Sequence, residues 1–227
     1  MVLFAMIEHA APDGCPPTKP QLRGVLHHYA FFVSLVAGTV LVVLAPTPRA
    51  LLAAGIYGAS LSALLGTSAL YHRVTWSVPA RRLMGRLDHA MISVLIAGTV
   101  TPFAMLAIRG PLAPILLSAV WVGALAAIVL HVLWFDAPKG LSAALYVLLG
   151  WVGLAGMPQV VSHAGWTVGG LLLLGGVLYS LGAAVYALRR PDPIPASFGY
   201  HELFHALVVV AATVHYGAVA MTILPRA

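Results

Sequence analysis

The chain has 227 residues, of which 61% are hydrophobic and only 8% are charged, and its mean hydropathy is +0.96. A soluble domain cannot bury that much apolar surface, so the composition excludes a soluble globular protein and indicates a polytopic membrane protein. The net charge of +6 does not indicate a nucleic-acid partner, because the basic residues are spread over the connections between apolar segments.

Seven apolar segments account for most of the chain, and each is close to the roughly 20 residues that a helix needs to cross a bilayer. They cover residues 25–45, 50–72, 87–108, 112–134, 141–161, 166–188 and 201–224. We predict an all-α fold, a bundle of seven transmembrane helices formed by residues 21–227. Residues 1–20 are rich in proline and are predicted to form a flexible cytoplasmic tail.

Two local patterns refine this outline. The third helix is expected to begin before its apolar run, because Ser77 can cap a helix and Pro79 suits a first turn. Small residues in the second and sixth segments are expected to let neighbouring helices pack closely.

The basic residues predict the orientation of the bundle. Nine of the 12 Lys and Arg residues fall on one side of the seven segments: Lys19, Arg23, Arg73, Arg81, Arg82, Arg86, Lys139, Arg189 and Arg190. The other side has Arg49, Arg109 and Arg226. Cytoplasmic loops carry the excess of basic residues, so we expect a cytoplasmic N-terminus, an exported C-terminus and a location in the cell membrane.

Ionisable residues inside membrane spans are functional candidates. The predicted orientation brings Ser68, His72, Asp88, His201 and His205 to the cytoplasmic leaflet, on three different helices. The spacing of four between His201 and His205 also puts both imidazoles on one helix face. Three neutral imidazoles and a water are a common catalytic zinc arrangement, in which a carboxylate can move the proton of the water and a hydroxyl can assist.

Each of these residues also has a purely structural interpretation. His72 could lie at the membrane interface, Asp88 could neutralise Arg86, and Ser68 could bond to a carbonyl of its own helix. The other six histidines lie near span ends or lack a matched partner, and none is expected to be a ligand: His27, His28, His89, His131, His163 and His215.

Residues 201–205 also form an H-E-x-x-H sequence, the signature of zinc proteases with Glu202 as general base. A third ligand would then have to come from an earlier helix. Glu202 could instead lie at the entrance of the last helix, where an acid complements the helix dipole. Intramembrane proteolysis is therefore a minor alternative.

Four stretches together resemble the haemolysin III family, the bacterial branch of the progestin and adipoQ receptor group. They are RGVLHH at 23–28, SALYH at 68–72, LDHAMISVLIAGTVTPF at 87–103 and FGYHELFHALVVVAATVHY at 198–216. The resemblance implies seven helices and a Zn²⁺ ion held by His72, His201 and His205. It places Asp88 and Ser68 near the metal, where they are candidate catalytic residues.

The resemblance also indicates the type of activity. The wider superfamily includes alkaline ceramidases, so we predict a zinc-dependent membrane hydrolase of a lipid-like amide or ester. The alternative is a haemolysin-like or lipid-sensing membrane protein in which zinc is structural. A membrane lipid or lipid-like molecule is the expected partner in either case.

Overall fold

The computed structural model describes residues 20–134 and 138–224, and these fold into a helical bundle. Its α-helices are α1 (Val25–Val43), α2 (Pro48–Arg73), α3 (Val78–Leu106), α4 (Leu112–Leu133), α5 (Lys139–Trp151), α6 (Met157–Ala164), α7 (Trp166–Leu188) and α8 (Tyr200–Ile223). A short 3-10 helix, Val152–Gly156, joins α5 to α6. The predicted tail up to residue 19 and the loop residues 135–137 lie outside the described residues.

Seven helical stretches of the described chain are long and apolar enough to cross a membrane. Six are single helices, and the fifth, Gly140–Ala164, combines most of α5 with the 3-10 helix and α6. The predicted all-α fold with seven spans is therefore confirmed. The early start of α3 is confirmed as well, although the Ser77 hydroxyl makes no capping hydrogen bond.

The fifth span differs from the single helix expected over 141–161. The α-helix stops at Trp151, continues as a 3-10 helix, and becomes α-helical again at Met157. Pro158 lies in the first turn of α6 and has no backbone N–H, so an unbroken helix through this point would lose a hydrogen bond and meet the proline ring. The glycines at 153 and 156 lower the cost of the distorted turn between the two helices.

Close helix packing in the bundle depends on small residues, as expected for the second span. Gly38 of α1 and Gly58 of α2 face each other, and a Cβ atom on Gly38 would lie 3.2 Å from the Gly58 Cα atom. Gly98 of α3 packs against the Ser60 side chain of α2 in the same way. These contacts bring α1, α2 and α3 together with their backbones nearly touching.

One end of the bundle, which we call the basic end, contains the start of α1, the end of α2, the start of α3, the end of α7 and the start of α8. The segment between α7 and α8 folds back against the entrance to α1. There the Gln21 and Leu22 amides donate to the Ala196 and Ser197 carbonyls, each at 3.2 Å. The first and last spans are thereby joined at the basic end.

Candidate metal centre

Three histidines from two helices form a cluster at the basic end. His72 belongs to the last turn of α2, and His201 and His205 belong to the first turns of α8. Each residue offers one ring nitrogen, and these nitrogens all lie within 4.8 Å of one another. The Nε2 atoms of His72 and His201 are 3.3 Å apart. His72 and His205 are buried and His201 is partly buried, so the cluster is shielded from solvent.

The three histidines form a group that could hold a metal ion. Imidazole nitrogens bind zinc, copper, iron and nickel, so the donor type alone does not identify the ion. In the described part of the chain, this is the one group of three or more His, Cys, Asp or Glu side chains whose ligand atoms converge in this way. The ligand atoms converge because His201 and His205 are four residues apart on α8 and His72 lies beside them at the end of α2.

The two predicted catalytic side chains lie beside the cluster. The Asp88 carboxylate of α3 is 3.7 Å from the His72 Nε2 atom, and 13% of its side chain is exposed. The Ser68 hydroxyl of α2 lies near Asp88 and is 2.8 Å from the His27 Nδ1 atom. All five residues predicted from the sequence are therefore brought to one place by α2, α3 and α8.

His27 of α1 was not expected to contribute, but the structure places it against the cluster. Its ring stacks on that of His205, with centroids 3.9 Å apart and planes only 5° from parallel. Its Nδ1 atom is hydrogen-bonded to Ser68, so it touches both a candidate ligand and a candidate catalytic residue. In the sequence, this role was indicated only by the position of His27 near the start of the first span, at the same depth as the other residues.

Gly24 lets α1 begin next to the cluster. Its φ angle of 77° lies in the left-handed region, which glycine adopts without strain. A Cβ atom at this position would come within 2.6 Å of the His72 Cβ atom. A larger residue would therefore both strain the backbone and displace His72.

Glu202 lies between His201 and His205 in the sequence, but its carboxylate bonds to other groups. It is 1% exposed, and its Oε1 atom forms an ion pair with Arg23 at the entrance to α1. Its Oε2 atom accepts a hydrogen bond of 2.9 Å from the Gly199 amide, which caps α8. Both carboxylate oxygens thus bond to groups outside the histidine cluster, as the helix-entrance interpretation of Glu202 expected.

A largely apolar cavity extends from the cluster between α3, α5, α7 and α8. Its volume is about 210 Å³. At the basic end it is lined by His27, Ser68, Asp88, His201 and His205, and at the far end by Ile108, Leu172 and His215. A long apolar molecule could therefore reach the polar groups from within the bundle.

The fold and the cluster define a seven-span helical membrane protein with a candidate three-histidine metal centre at one end. The family model described as "Haemolysin-III related" matches residues 16–216. The chain therefore belongs to the haemolysin III family, as the sequence motifs predicted.

Relatives in bacteria and animals agree with this assignment. The chain is 29% identical to Hemolysin-3 of Bacillus cereus over 90% of its own length and 92% of that protein. It is 32% identical to the Hemolysin-3 homolog of Bacillus subtilis, over 68% of the chain and 69% of that protein. It is 34% identical to the adiponectin receptor protein of Drosophila melanogaster, over 67% of the chain and 38% of the receptor. No solved structure matches the chain significantly.

Proposed function

We propose that this protein is a zinc-dependent integral membrane hydrolase that cleaves a lipid-like amide or ester. The observation that carries the proposal is the convergence of the three-histidine cluster, Asp88 and one end of a long apolar cavity. A metal-binding group, a carboxylate and a space for an apolar chain are the parts that such a reaction needs.

The spacing of the imidazoles supports zinc as the ion. Zinc–nitrogen bonds of about 2.0–2.1 Å at tetrahedral angles put two ring nitrogens about 3.3 Å apart. The Nε2 atoms of His72 and His201 are 3.3 Å apart, and the ligand nitrogen of His205 lies within 4.8 Å of the other two. Three neutral histidines leave a fourth position for water or substrate, which is typical of catalytic zinc. When bound, zinc supplies a Lewis acid and lowers the pKa of a bound water to about 7.

Asp88 is the proposed general base and acid. Its carboxylate lies next to the His72 ring nitrogen and lines the cavity, so it can reach a water between the cluster and a substrate carbonyl. It accepts the proton of the attacking water and then delivers it to the leaving amine or alcohol. Such a group contributes about 10²–10⁴-fold to a rate.

Ser68 and His27 are proposed to hold Asp88 and His205 in place. The Ser68 hydroxyl and the His27 Nδ1 atom share a hydrogen bond of 2.8 Å, and Ser68 lies beside Asp88, where its hydroxyl can donate to the carboxylate. The same His27 ring stacks on His205. Groups that orient ligands and catalytic side chains in this way are common around metal sites.

The first experiment measures zinc in the purified full-length chain after metal-replete preparation. We expect about one zinc per chain in the wild type, and its loss in His72→Ala and His205→Ala. His163→Ala is the matched control, because His163 is exposed at the end of α6 and bonds to Gln159 and Ser162. A wild-type protein without stoichiometric zinc would contradict the proposal.

The second experiment measures hydrolysis of fatty acyl amides and esters by the zinc-loaded protein in lipid nanodiscs. We expect the wild type to hydrolyse members of this panel, and the variants His72→Ala and His205→Ala to be inactive. The second candidate function is a haemolysin-like or lipid-sensing protein with structural zinc, which the names of two relatives, Hemolysin-3 and adiponectin receptor protein, favour. That candidate is supported if lipid binding and zinc persist but neither the wild type nor Asp88→Asn hydrolyses any member of the panel.

We also propose that the basic end faces the cytoplasm of a cell whose plasma membrane contains the protein. The excess of Lys and Arg at that end supports this orientation. A reporter that works only in the cytoplasm should be active when it is fused in the connection between α2 and α3. Activity of an exported reporter at that position would reverse the orientation.

A further inference from the structure

A group of arginines lies exposed at the basic end, where α2 ends and α3 begins. Arg73 is the last residue of α2, and Arg81 and Arg82 lie near the start of α3. All three side chains are exposed. No acidic side chain in the described part of the chain forms an ion pair with any of them. We call Arg73, Arg81 and Arg82 the arginine surface.

The length of α3 places the arginine surface at the level of the lipid headgroups. This helix has 29 residues and is therefore about 43 Å long, whereas the hydrocarbon core of a bilayer is about 30 Å thick. The far end of α3 is followed closely by the exposed Arg109, so the excess of about 13 Å projects at the start of the helix. This excess corresponds to residues 78–86, which include two of the three arginines.

Two aromatic side chains near the connection between α2 and α3 support this depth. The Trp76 Nε1 atom donates to the Leu70 carbonyl oxygen at 3.0 Å, and tryptophan is enriched at the boundary between hydrocarbon and water. The guanidinium carbon of Arg81 lies 5.3 Å from the centre of the Tyr71 ring, which is a cation–π contact. A guanidinium stacked in this way keeps N–H donors at its edge that an anion can accept from.

Apolar side chains adjoin the arginines on α3. Leu83 and Leu87 are four residues apart and share one helix face, and they are 57% and 40% exposed. Leu87 lies about 6 Å further along the helix axis, toward the hydrocarbon core. Basic side chains at headgroup level with apolar side chains below them match an anionic lipid, which carries its charge above its acyl chains. A free inorganic anion would match the arginines alone.

We propose that the arginine surface binds the headgroup of an anionic phospholipid, whose acyl chains lie along Leu83 and Leu87. Charge complementarity carries this inference, because three exposed positive groups meet the depth at which lipid phosphates lie. Each arginine near a membrane surface strengthens the attraction to anionic lipid by about fivefold. The inference does not depend on zinc, on hydrolysis or on the side of the membrane that the basic end faces.

The test counts the lipids bound to the purified full-length chain in detergent micelles by native mass spectrometry. One probe is dioleoylphosphatidylglycerol, which is anionic, and the other is dioleoylphosphatidylcholine, which has the same acyl chains and no net charge. We expect the wild type to bind the anionic probe about tenfold more tightly. In Arg81→Gln/Arg82→Gln the ratio should fall to about two, since only Arg73 of the arginine surface is left.

Two matched variants separate lipid recognition from damage to the fold. Arg81→Lys/Arg82→Lys keeps both charges and should retain most of the preference for the anionic probe. Arg49→Gln/Arg109→Gln removes two exposed arginines at the opposite end of the bundle and should leave the ratio unchanged. Thermal unfolding in detergent should be the same in all of these variants, because every substituted side chain is exposed.

The outcomes are independent of those for the proposed function. Equal binding of the two probes by the wild type overturns the inference. A preference that survives in Arg81→Gln/Arg82→Gln overturns the role of these arginines, and an equal loss in Arg49→Gln/Arg109→Gln shows attraction by overall charge and overturns a defined site. Displacement of the anionic probe by a large excess of inorganic phosphate identifies a free anion as the ligand and overturns the lipid as occupant.

Discussion

The two ends of this bundle are held together by different interactions. At the basic end, α1, α2 and α8 are joined by polar contacts: the Arg23–Glu202 ion pair, the His27–Ser68 hydrogen bond and the histidine cluster. Away from it, packing is mainly apolar, the fifth span is broken at 152–156, and His215 has an unpaired nitrogen. Apolar packing is tolerant of small changes, whereas polar contacts depend on exact partners. Substitutions at the basic end should therefore have larger effects, on chemistry or on stability, than matched substitutions elsewhere.

The largest expected effect belongs to Asp88. Asp88→Asn preserves the shape of the side chain but removes the proton acceptor, so hydrolysis should fall by about 10²-fold or more. Zinc content should stay at the wild-type level, because Asp88 is not one of the three proposed ligands. Parallel measurement of turnover and zinc checks both statements, and unchanged turnover would contradict the role of Asp88.

Glu202 provides a test of the cross-link between α1 and α8. Glu202→Ala leaves Arg23 without its partner and the Gly199 amide without its cap, so the free energy of unfolding should fall by about 2 kcal/mol. The matched change is Gln159→Ala, which removes an exposed hydrogen bond to the Arg109 amide and should cost about 0.5 kcal/mol. Denaturant titration in detergent compares the two variants. Equal losses of unfolding free energy in the two variants would contradict the proposed difference between the two ends of the bundle.

Gly24 and Gly110 form a closely matched pair for the third comparison. Both have left-handed φ angles, of 77° and 67°, but a Cβ atom on Gly24 meets His72 whereas one on Gly110 has nothing within 4 Å. Substitution by alanine should cost about 1 kcal/mol of backbone strain at either site. Only Gly24→Ala should also weaken zinc binding, by about tenfold. Zinc titration of both variants checks this, and equal affinities would show that the contact with His72 is harmless.

The smallest expected effect concerns His27. His27→Phe keeps a ring stacked on His205 but loses the hydrogen bond to Ser68, so hydrolysis should fall about fivefold with zinc retained. His27→Ala removes the stack as well and should also reduce zinc affinity. Turnover and zinc titration of the two variants separate these contributions. Identical behaviour of Phe and Ala would assign the whole effect to the hydrogen bond.

Much of the fold could be predicted because hydropathy and charge act over single helices. Apolar length predicted each of the seven spans, and the spacing of His201 and His205 predicted their common face. The distribution of the basic residues then predicted that His72 and Asp88 lie at the same depth in the membrane. The break in the fifth span was not predicted, because its sequence remains apolar through Pro158 and hydropathy does not register a change of helix type.

The parts that could not be predicted depend on which helices are neighbours. His27 was at the right depth, but depth alone does not say that α1 lies against α8 and stacks its ring on His205. The capping role of Glu202 followed from its position, whereas its pairing with Arg23 required the tertiary fold. The cavity is likewise a product of how four helices leave space between them.

The distance in sequence between His72 and His201, 129 residues, has a consequence for biosynthesis. Membrane helices are inserted as the chain emerges from the ribosome, so α2 is in the bilayer long before α8 has been translated. A metal site that needs both cannot exist in any shorter nascent chain. Loading of the proposed metal site would thus occur only after synthesis of the last span, and a ribosome-bound intermediate that lacks α8 would contain His72 without the other two candidate ligands.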